Sequence, residues 1–239
     1  MSDAVAADPS ATLPAAYDAV VLGRRSIRGY RPDPVPKALL REILEIAMRA
    51  PSSYNSQPWN FYVLTGAVLD AVRKGNVERT LAGAPDSREF RKGPDYAGVH
   101  RERQIEVAKQ LFGAMGIARE DKEKRTDWVL RGFRQFDAPA SIVVTYDRDL
   151  EGGDIAAFDC GAVTNAIVNA AWSRGLGCVV NSQGILQSPV LREHARIPED
   201  QMIQIAVAIG YPEESFPAND VVSNRKPVDA AATFLGFED

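Results

Sequence analysis

Imidazole and thiol side chains are scarce in this chain, which has two histidines and two cysteines among 239 residues. His100 and His194 lie far apart and outside any HxxxH or HExxH pattern, so no zinc site is expected. Cys160 and Cys178 lack a CxxC spacing and are expected to be small buried side chains in a reducing compartment. The sequence therefore predicts a cytoplasmic protein without a metal site.

Sequence motifs of enzymes that carry out catalysis with their own side chains are also missing. There is no GxSxG nucleophile turn and no GxxxxGK[ST] phosphate loop in the sequence. The run GLGCVVNSQG lacks the third glycine and the later acidic residue of a Rossmann fingerprint. Difficult chemistry would therefore have to come from a bound organic cofactor, and no catalytic side chain is predicted.

Two classes of partner are not expected. The net charge of −4 and the pI of about 5.4 argue against a nucleic-acid binder, because such domains are usually strongly basic. No apolar run approaches the ~18 residues that span a bilayer, so no membrane partner is predicted. Residues 1–13 are small and acidic, without the features of a signal peptide, and are expected to be a flexible terminus.

Hydrophobic periodicity predicts a layered α+β domain over residues 14–239 without a regular βαβα alternation. Strands are predicted in the β-branched and aromatic stretches 60–66, 140–147, 176–182 and 201–212. Helices are predicted over 14–22, 36–50, 98–116, 121–135, 155–175 and 188–195, with a loop over 83–100.

The predicted helix over 155–175 is apolar on most of its faces. Only four polar residues interrupt it, namely Asp159, Thr164, Asn165 and Asn169. A helix of this kind must be covered on several sides, either in the domain core or at a subunit interface.

A cluster of arginines is the first candidate binding feature. The stretch LGRRSIRGYRPDPVP, residues 22–36, places four of them within eight positions: Arg24, Arg25, Arg28 and Arg31. Arginine forks bind phosphate through paired hydrogen bonds, and the hydroxyl of Ser26 offers one more. Arginines paired with surface acids are the competing interpretation, and a nucleic-acid patch is a third.

A second stretch, APSSYNSQPWNFYVL at 50–64, is rich in hydroxyl and amide groups and leads into a predicted strand. Its prolines stiffen the loop, so that Ser52, Ser53, Asn55 and Gln57 offer donors and acceptors at fixed angles, as a heteroaromatic ring requires. A self-capped helix C-terminal loop is the alternative. Near the C-terminus, Arg225 and Lys226 could reach the same phosphate or form a surface basic pair.

The motifs RRSIRGY, APSSYNSQPWNFYVL, RGLGCVVNSQGIL, IAVAIGYPEE and NRKP follow one another over about residues 14–230. Together they resemble the nitroreductase family of flavoprotein oxidoreductases, which use FMN. The resemblance implies a three-layer sandwich with helices on both sides of a central, mostly antiparallel sheet. It also implies a domain-swapped style homodimer with FMN at the interface, NADH or NADPH as electron donor and a small aromatic acceptor.

By this resemblance, three groups of residues hold FMN. The group that contacts the phosphate, the ribityl chain and the adjacent ring edge is Arg24, Arg25, Ser26, Arg28 and Arg225. The group that arrives from the other subunit is Pro51, Ser52, Ser53 and Asn55. The turn that lines the isoalloxazine is Asn181, Ser182, Gln183 and Gly184. Arg31 is left to solvent or a surface partner, and relatives often carry Lys in place of Arg28, which changes the geometry but keeps the charge.

The resemblance further implies a ping-pong reaction, in which NAD(P)H leaves before a nitroaromatic or quinone-like acceptor binds at the same face of the flavin. Residues 80–135 are expected to form a variable lid and substrate wall. Its candidate contacts, which are ordinary packing residues in the alternative interpretation, are Tyr96, His100, Phe112 and Phe133. The alternative functions are a specialised relative (reductive dehalogenase, flavin reductase or flavin-destructase) and a non-catalytic FMN-binding or sensor protein.

Overall fold

The computed structural model describes residues 9–90 and 93–237. Of the predicted flexible terminus, residues 1–8 lie outside the described residues, and residues 9–13 belong to the first helix, α1 (Pro9–Gly23). No helix within the described ranges is long and apolar enough to cross a membrane.

Within the described residues, four antiparallel strands form one sheet in the order β1-β2-β4-β3. They are β1 (Trp59–Thr65), β2 (Ala140–Asp147), β3 (Gly177–Asn181) and β4 (Gln201–Gly210). Each coincides with a predicted strand. Along β2, Ile142 and Val144 enter one apolar cluster while Val143 enters another, as a strand buried on both faces requires.

Six further helices follow α1 in the described ranges. They are α2 (Lys37–Ala47), α3 (Gly66–Leu81), α4 (Gly98–Ala114), α5 (Lys122–Phe133), α6 (Asp154–Trp172) and α7 (Ser188–Ala195). The six predicted helices are confirmed, but α3 was not predicted. Its buried residues Leu69, Val72 and Asn76 include a polar one, so its apolar stripe is too narrow to stand out in the sequence.

Helices cover both faces of the sheet. On one face α2 and α6 pack through residues such as Leu40, Ile43, Val163 and Ile167. On the other face α3 and α7 pack through Leu69, Val72 and Leu191. The predicted three-layer α+β sandwich with an antiparallel sheet is therefore confirmed.

The arginine-rich segment runs beside the edge strand β3. Ser26 forms a parallel bridge with Cys178, and the Ile27 amide donates to the Cys178 carbonyl at 3.0 Å. Ile27 is buried there. Because β3 continues into the turn at 181–184, this pairing brings two of the predicted cofactor-binding segments to the same edge of the sheet.

Candidate cofactor site

Arg24 and Ser26 line a cavity at the edge of β3 against α6, which we call the α6 cavity. Its volume is about 480 Å³, within the range of ~300–1,000 Å³ that is typical of small-molecule sites. Apolar side chains form most of its wall, and Thr164, Asn165 and Gln204 add polar groups. The cavity therefore combines apolar walls with a few polar groups, as is typical of sites for small organic ligands.

Two polar groups of the α6 cavity have no protein partner in the part of the chain that the structure describes. The Arg24 guanidinium forms no ion pair or hydrogen bond there. Gln204 Oε1 is buried without a hydrogen-bond partner. Buried polar groups without partners are costly, so both fit a polar ligand, and the guanidinium fits an anion such as phosphate.

Two of the four clustered arginines are bound elsewhere in the chain. The Nε of Arg25 donates to the Asn219 carbonyl at 2.5 Å, and its Nη2 lies 4.0 Å from Asp220 Oδ1. Arg31 forms an ion pair with Asp33 at 3.1 Å. Arg31 thus has a surface partner, as predicted, whereas Arg25 turns to the C-terminal segment and does not line the α6 cavity.

Arg28 carries a half-buried guanidinium that forms no ion pair within the described ranges. Its Nη1 donates to the Ser26 carbonyl at 3.3 Å. Burial lowers the pKa of Arg28 from its ordinary value, although arginine keeps its charge in proteins. Asn219 Oδ1 accepts from the Arg28 amide at 2.7 Å, and Arg131 Nη2 donates to the Arg28 carbonyl at 3.2 Å. Its backbone is therefore fixed, and its unpaired charge fits an anionic or carbonyl-bearing ligand.

The turn predicted to line the flavin is held by a buried amide network. Asn181 Nδ2 donates to the Gly132 carbonyl at 2.8 Å and to Gln135 Oε1 at 2.9 Å. Asn181 Oδ1 accepts from the Gly184 amide at 3.2 Å, and Gln135 Nε2 donates to the Gly184 carbonyl at 3.1 Å. The Asn181 side chain thus supports the turn from within, and Ser182 is the exposed member of the turn.

The loop at 51–57 is anchored on α6 but does not line the α6 cavity of its own chain. The Ser53 amide donates to Oδ2 of the buried Asp159 at 3.0 Å. Tyr54, Asn55 and Gln57 have φ angles of 49°, 58° and 46°, a region that is unfavourable for residues other than glycine. Tyr54 is also fully exposed. Strained backbone of this kind is typical of functional loops.

A second cavity, the α4 cavity, lies between the loop at 83–97 and the start of α4 and has a volume of about 1150 Å³. It brings Ser182 together with Tyr96 and His100, two of the predicted substrate residues. Gln183, next to Ser182, instead donates from Nε2 to the Val129 carbonyl at 3.3 Å. The turn that was predicted to line the flavin therefore reaches the α4 cavity through Ser182, together with part of the predicted substrate wall, and none of its residues lines the α6 cavity.

The remaining predicted residues lie elsewhere in the single chain. The Arg125 guanidinium lies 4.3 Å from the centroid of the Phe112 ring. Phe133 is buried and lines neither the α6 cavity nor the α4 cavity, and its carbonyl accepts from Asn76 Nδ2 at 3.1 Å. Arg225 lines a third cavity of about 610 Å³ against α4 and does not line the α6 cavity.

Sequence reasoning missed several residues that line the α6 cavity, namely Phe90, Thr164, Asn165 and Gln204. Thr164 and Asn165 could have been identified as candidates from the sequence, because they are polar residues that interrupt an apolar helix. Cys160 also lines the cavity, and burial raises its pKa to about 12. A thiol with that pKa stays protonated near neutral pH and is not a nucleophile.

The antiparallel sheet between two helical layers and the α6 cavity, with an Arg24 guanidinium that is unpaired within the described residues, are compatible with binding of a small anionic ligand. The sequence model of the nitroreductase family matches residues 21–211, and the chain belongs to the nitroreductase family.

The chain is similar along nearly its whole length to proteins that reduce nitro compounds. It is 34% identical over 241 residues to the 4-nitrobenzoate reductase of Nocardioides sp. (strain LMS-CY), covering 98% of this chain and 96% of that protein. It is 33% identical to the chloronitrobenzene nitroreductase of Comamonas testosteroni, covering 91% and 96%. The solved structure of the FMN and NADPH-dependent nitroreductase NfnB of Sphigopyxis sp. strain HMH matches with a TM-score of 0.87 at 28% identity, covering 92% of this chain and 99% of that one.

Proposed function

We propose that the chain is an FMN-dependent oxidoreductase that passes reducing equivalents from NADH or NADPH to a nitroaromatic or quinone-like acceptor. The observation that carries this proposal is the α6 cavity, where Arg24 lacks an acidic partner within the described ranges and Ser26 lies at the same sheet edge. The printed names of relatives support it, since they specify nitroaromatic reduction and, for NfnB, FMN and NADPH.

Each element of the site has a distinct task in this proposal. Bound FMN would supply the redox chemistry. Arg24 and Ser26 would bind its phosphate, since a guanidinium fork and a hydroxyl match phosphate oxygens. Arg28, which does not line the α6 cavity of the single chain, would add a positive charge, unpaired within the described residues, next to Ser26 and so stabilise negative charge on the bound group. The turn at 181–184, fixed by Gln135, would present backbone groups and Ser182 towards the acceptor.

We also propose a homodimer with the cofactor at its interface. Ile155 and Phe158 are 57% and 74% exposed and lie three residues apart, on one face of α6. Gly161 and Asn165 continue that face into the α6 cavity. An exposed apolar face of this kind usually marks an interaction surface. A second copy seated on it would bring the strained loop of Pro51, Ser52, Ser53 and Asn55 to the cavity of the first.

Phe158→Asp is expected to convert the dimer to monomers and to weaken FMN binding at least about tenfold, because a charge would replace the apolar centre of the interface. Light scattering after size-exclusion chromatography, together with the flavin content, measures both effects. The matched control is Leu81→Asp, which changes another exposed apolar side chain, 65% exposed at the end of α3, and should leave the dimer intact. A Phe158→Asp protein that stays dimeric with full flavin content would contradict the proposal.

The proposed activity predicts a flavin spectrum and ping-pong kinetics. The purified protein is expected to absorb near ~450 nm after FMN is added, to be bleached anaerobically by NADH or NADPH, and to regain its colour with 4-nitrobenzoate. Double-reciprocal plots at several acceptor concentrations should be parallel, because donor and acceptor use one site in turn. Intersecting lines would count against the shared site, and a yellow protein that neither donor bleaches would favour the sensor alternative.

Three proposals concern organisation and location. We propose that residues 80–135 form the substrate wall, since the α4 cavity joins Tyr96 and His100 to Ser182. Residues 14–239 are proposed to act as a single domain. The free, buried thiols of Cys160 and Cys178 suit a reducing compartment, and we place the protein in the cytoplasm.

A further inference from the structure

Glu89 fastens the loop at 83–97 to the body of the protein. Its Oε1 accepts from Arg192 Nε at 2.7 Å, and its Oε2 accepts from Arg192 Nη2 at 2.7 Å and from the Ile203 amide at 2.9 Å. Arg148 Nη2 lies 3.5 Å from the same Oε2. The Glu89 side chain is only 14% exposed, although most of the described residues on either side of it, 83–88 and 93–97, are solvent-exposed. One carboxylate therefore joins the loop to α7 and to β4.

The arginine that faces Glu89 is itself fixed. Arg192 Nη1 donates to the Pro198 carbonyl at 2.7 Å, and its Nη2 donates to the Gln201 carbonyl at 2.6 Å. A bidentate arginine–carboxylate pair held in this way specifies geometry as well as energy. A shielded ion pair such as Glu89–Arg192 is weak evidence for added net stability. We therefore expect its effect in the position of the neighbouring side chain.

The residue that it positions is Phe90. Phe90 directly follows Glu89, is half-buried, and packs against the apolar cluster of α3, α7 and the sheet. It lines the α6 cavity together with Arg24, and it lines the α4 cavity together with Ser182. Its aromatic side chain thus belongs to the wall shared by the proposed cofactor cavity and the proposed substrate cavity.

We infer that Glu89 is a positioning residue that, through Phe90, sets how an aromatic acceptor fits beside the cofactor. This inference rests on the proposed function. With the carboxylate bound to Arg192 and Ile203, the backbone before Phe90 is held against β4, so the position of the Phe90 ring in the shared wall is fixed. Aromatic acceptors would pack against the ring of Phe90.

Glu89→Gln tests the inference, because it keeps the shape of the side chain and removes its charge. We expect the KM for 4-nitrobenzoate to rise about tenfold while kcat and the Kd for FMN change less than about twofold, since the lost interaction affects the fit of the acceptor. Phe90→Ala should raise the KM for 4-nitrobenzoate at least as much, and the double variant should raise that KM no further than Phe90→Ala alone. Tryptic cleavage within residues 83–97 should become faster in Glu89→Gln.

The matched control is Glu193→Gln, which changes an exposed glutamate on α7 beside Arg192 and should alter none of these values. If Glu89→Gln folds poorly, Arg192→Lys can replace it as the test variant, because lysine keeps the charge but loses the forked pair of donors. Arg192→Lys should raise the same KM and the same cleavage rate.

An unchanged KM in a variant whose loop is cleaved faster would overturn the inference. So would equal losses of stability, FMN affinity and kcat, which indicate a purely structural role. Failure of the proposed function is distinct, because the unsubstituted protein would then bind no FMN.

Discussion

Arg24→Ala is expected to weaken FMN binding by about 10- to 100-fold, since a hydrogen bond to a charged group contributes about 1.5–3 kcal/mol and phosphate carries the charge here. Arg24 is suited to this task because its guanidinium lines the α6 cavity and has no acidic partner among the described residues. Titration of the apoprotein with FMN, followed by the quenching of flavin fluorescence, measures the change.

The control for Arg24 comes from the same cluster. Arg31→Ala removes an identical side chain whose charge is already paired with Asp33 at 3.1 Å, so FMN affinity should stay within about twofold, as for an exposed ion pair. Arg24→Lys keeps the positive charge but loses the forked pair of donors. Its affinity for FMN should therefore lie between those of Arg24→Ala and the unsubstituted protein. Equal losses in Arg24→Ala and Arg31→Ala would indicate a general charge effect and would contradict a discrete phosphate site.

Most of the fold could be predicted because its signals are local. Strands rich in β-branched residues and helices with a repeating apolar stripe appear in sequence windows shorter than 20 residues. Helix α3 was not predicted because the buried Asn76 interrupts its apolar stripe. The Nδ2 of Asn76 donates to the distant carbonyls of Phe133 and Gly184 at 3.1 and 3.3 Å. No window around Asn76 contains those partners.

The candidate site could be predicted only as a set of segments. The sequence indicated that the arginine cluster, the 51–57 loop and the 181–184 turn belong together, but not which side chains face the cavity. Arg24 and Arg25 are adjacent and identical, but the carbonyl of Asn219 and the carboxylate of Asp220 hold Arg25 away from the cavity. Likewise, the role of Glu89 depends on Arg192, which lies 103 positions away. Contacts between residues so far apart in the sequence are set by the packing of the folded chain, and a local sequence pattern does not reveal them.

The turn at 181–184 should also be the most sensitive point of the site to added volume. Gly184 is buried, and a Cβ there would overlap the carboxamide of Gln135. Gln135 is fully buried and cannot move away without breaking its bonds to Asn181 Nδ2 at 2.9 Å and to the Gly184 carbonyl at 3.1 Å. A single methyl group therefore forces either an off-rotamer Gln135 or a displaced turn.

Gly184→Ala is accordingly expected to lower the free energy of unfolding by about 3 kcal/mol, from overpacking together with weakened buried hydrogen bonds. Denaturant unfolding followed by circular dichroism measures this loss, and flavin content should fall with it if the turn lines the flavin as proposed. Gly113→Ala is the matched control, since no atom lies within 4 Å of a Cβ at that helical position. There alanine should be neutral or stabilising by about 0.5–1 kcal/mol. A Gly184→Ala protein as stable as Gly113→Ala would show that Gln135 has room to move, and the turn would then be held less tightly than its amide network indicates.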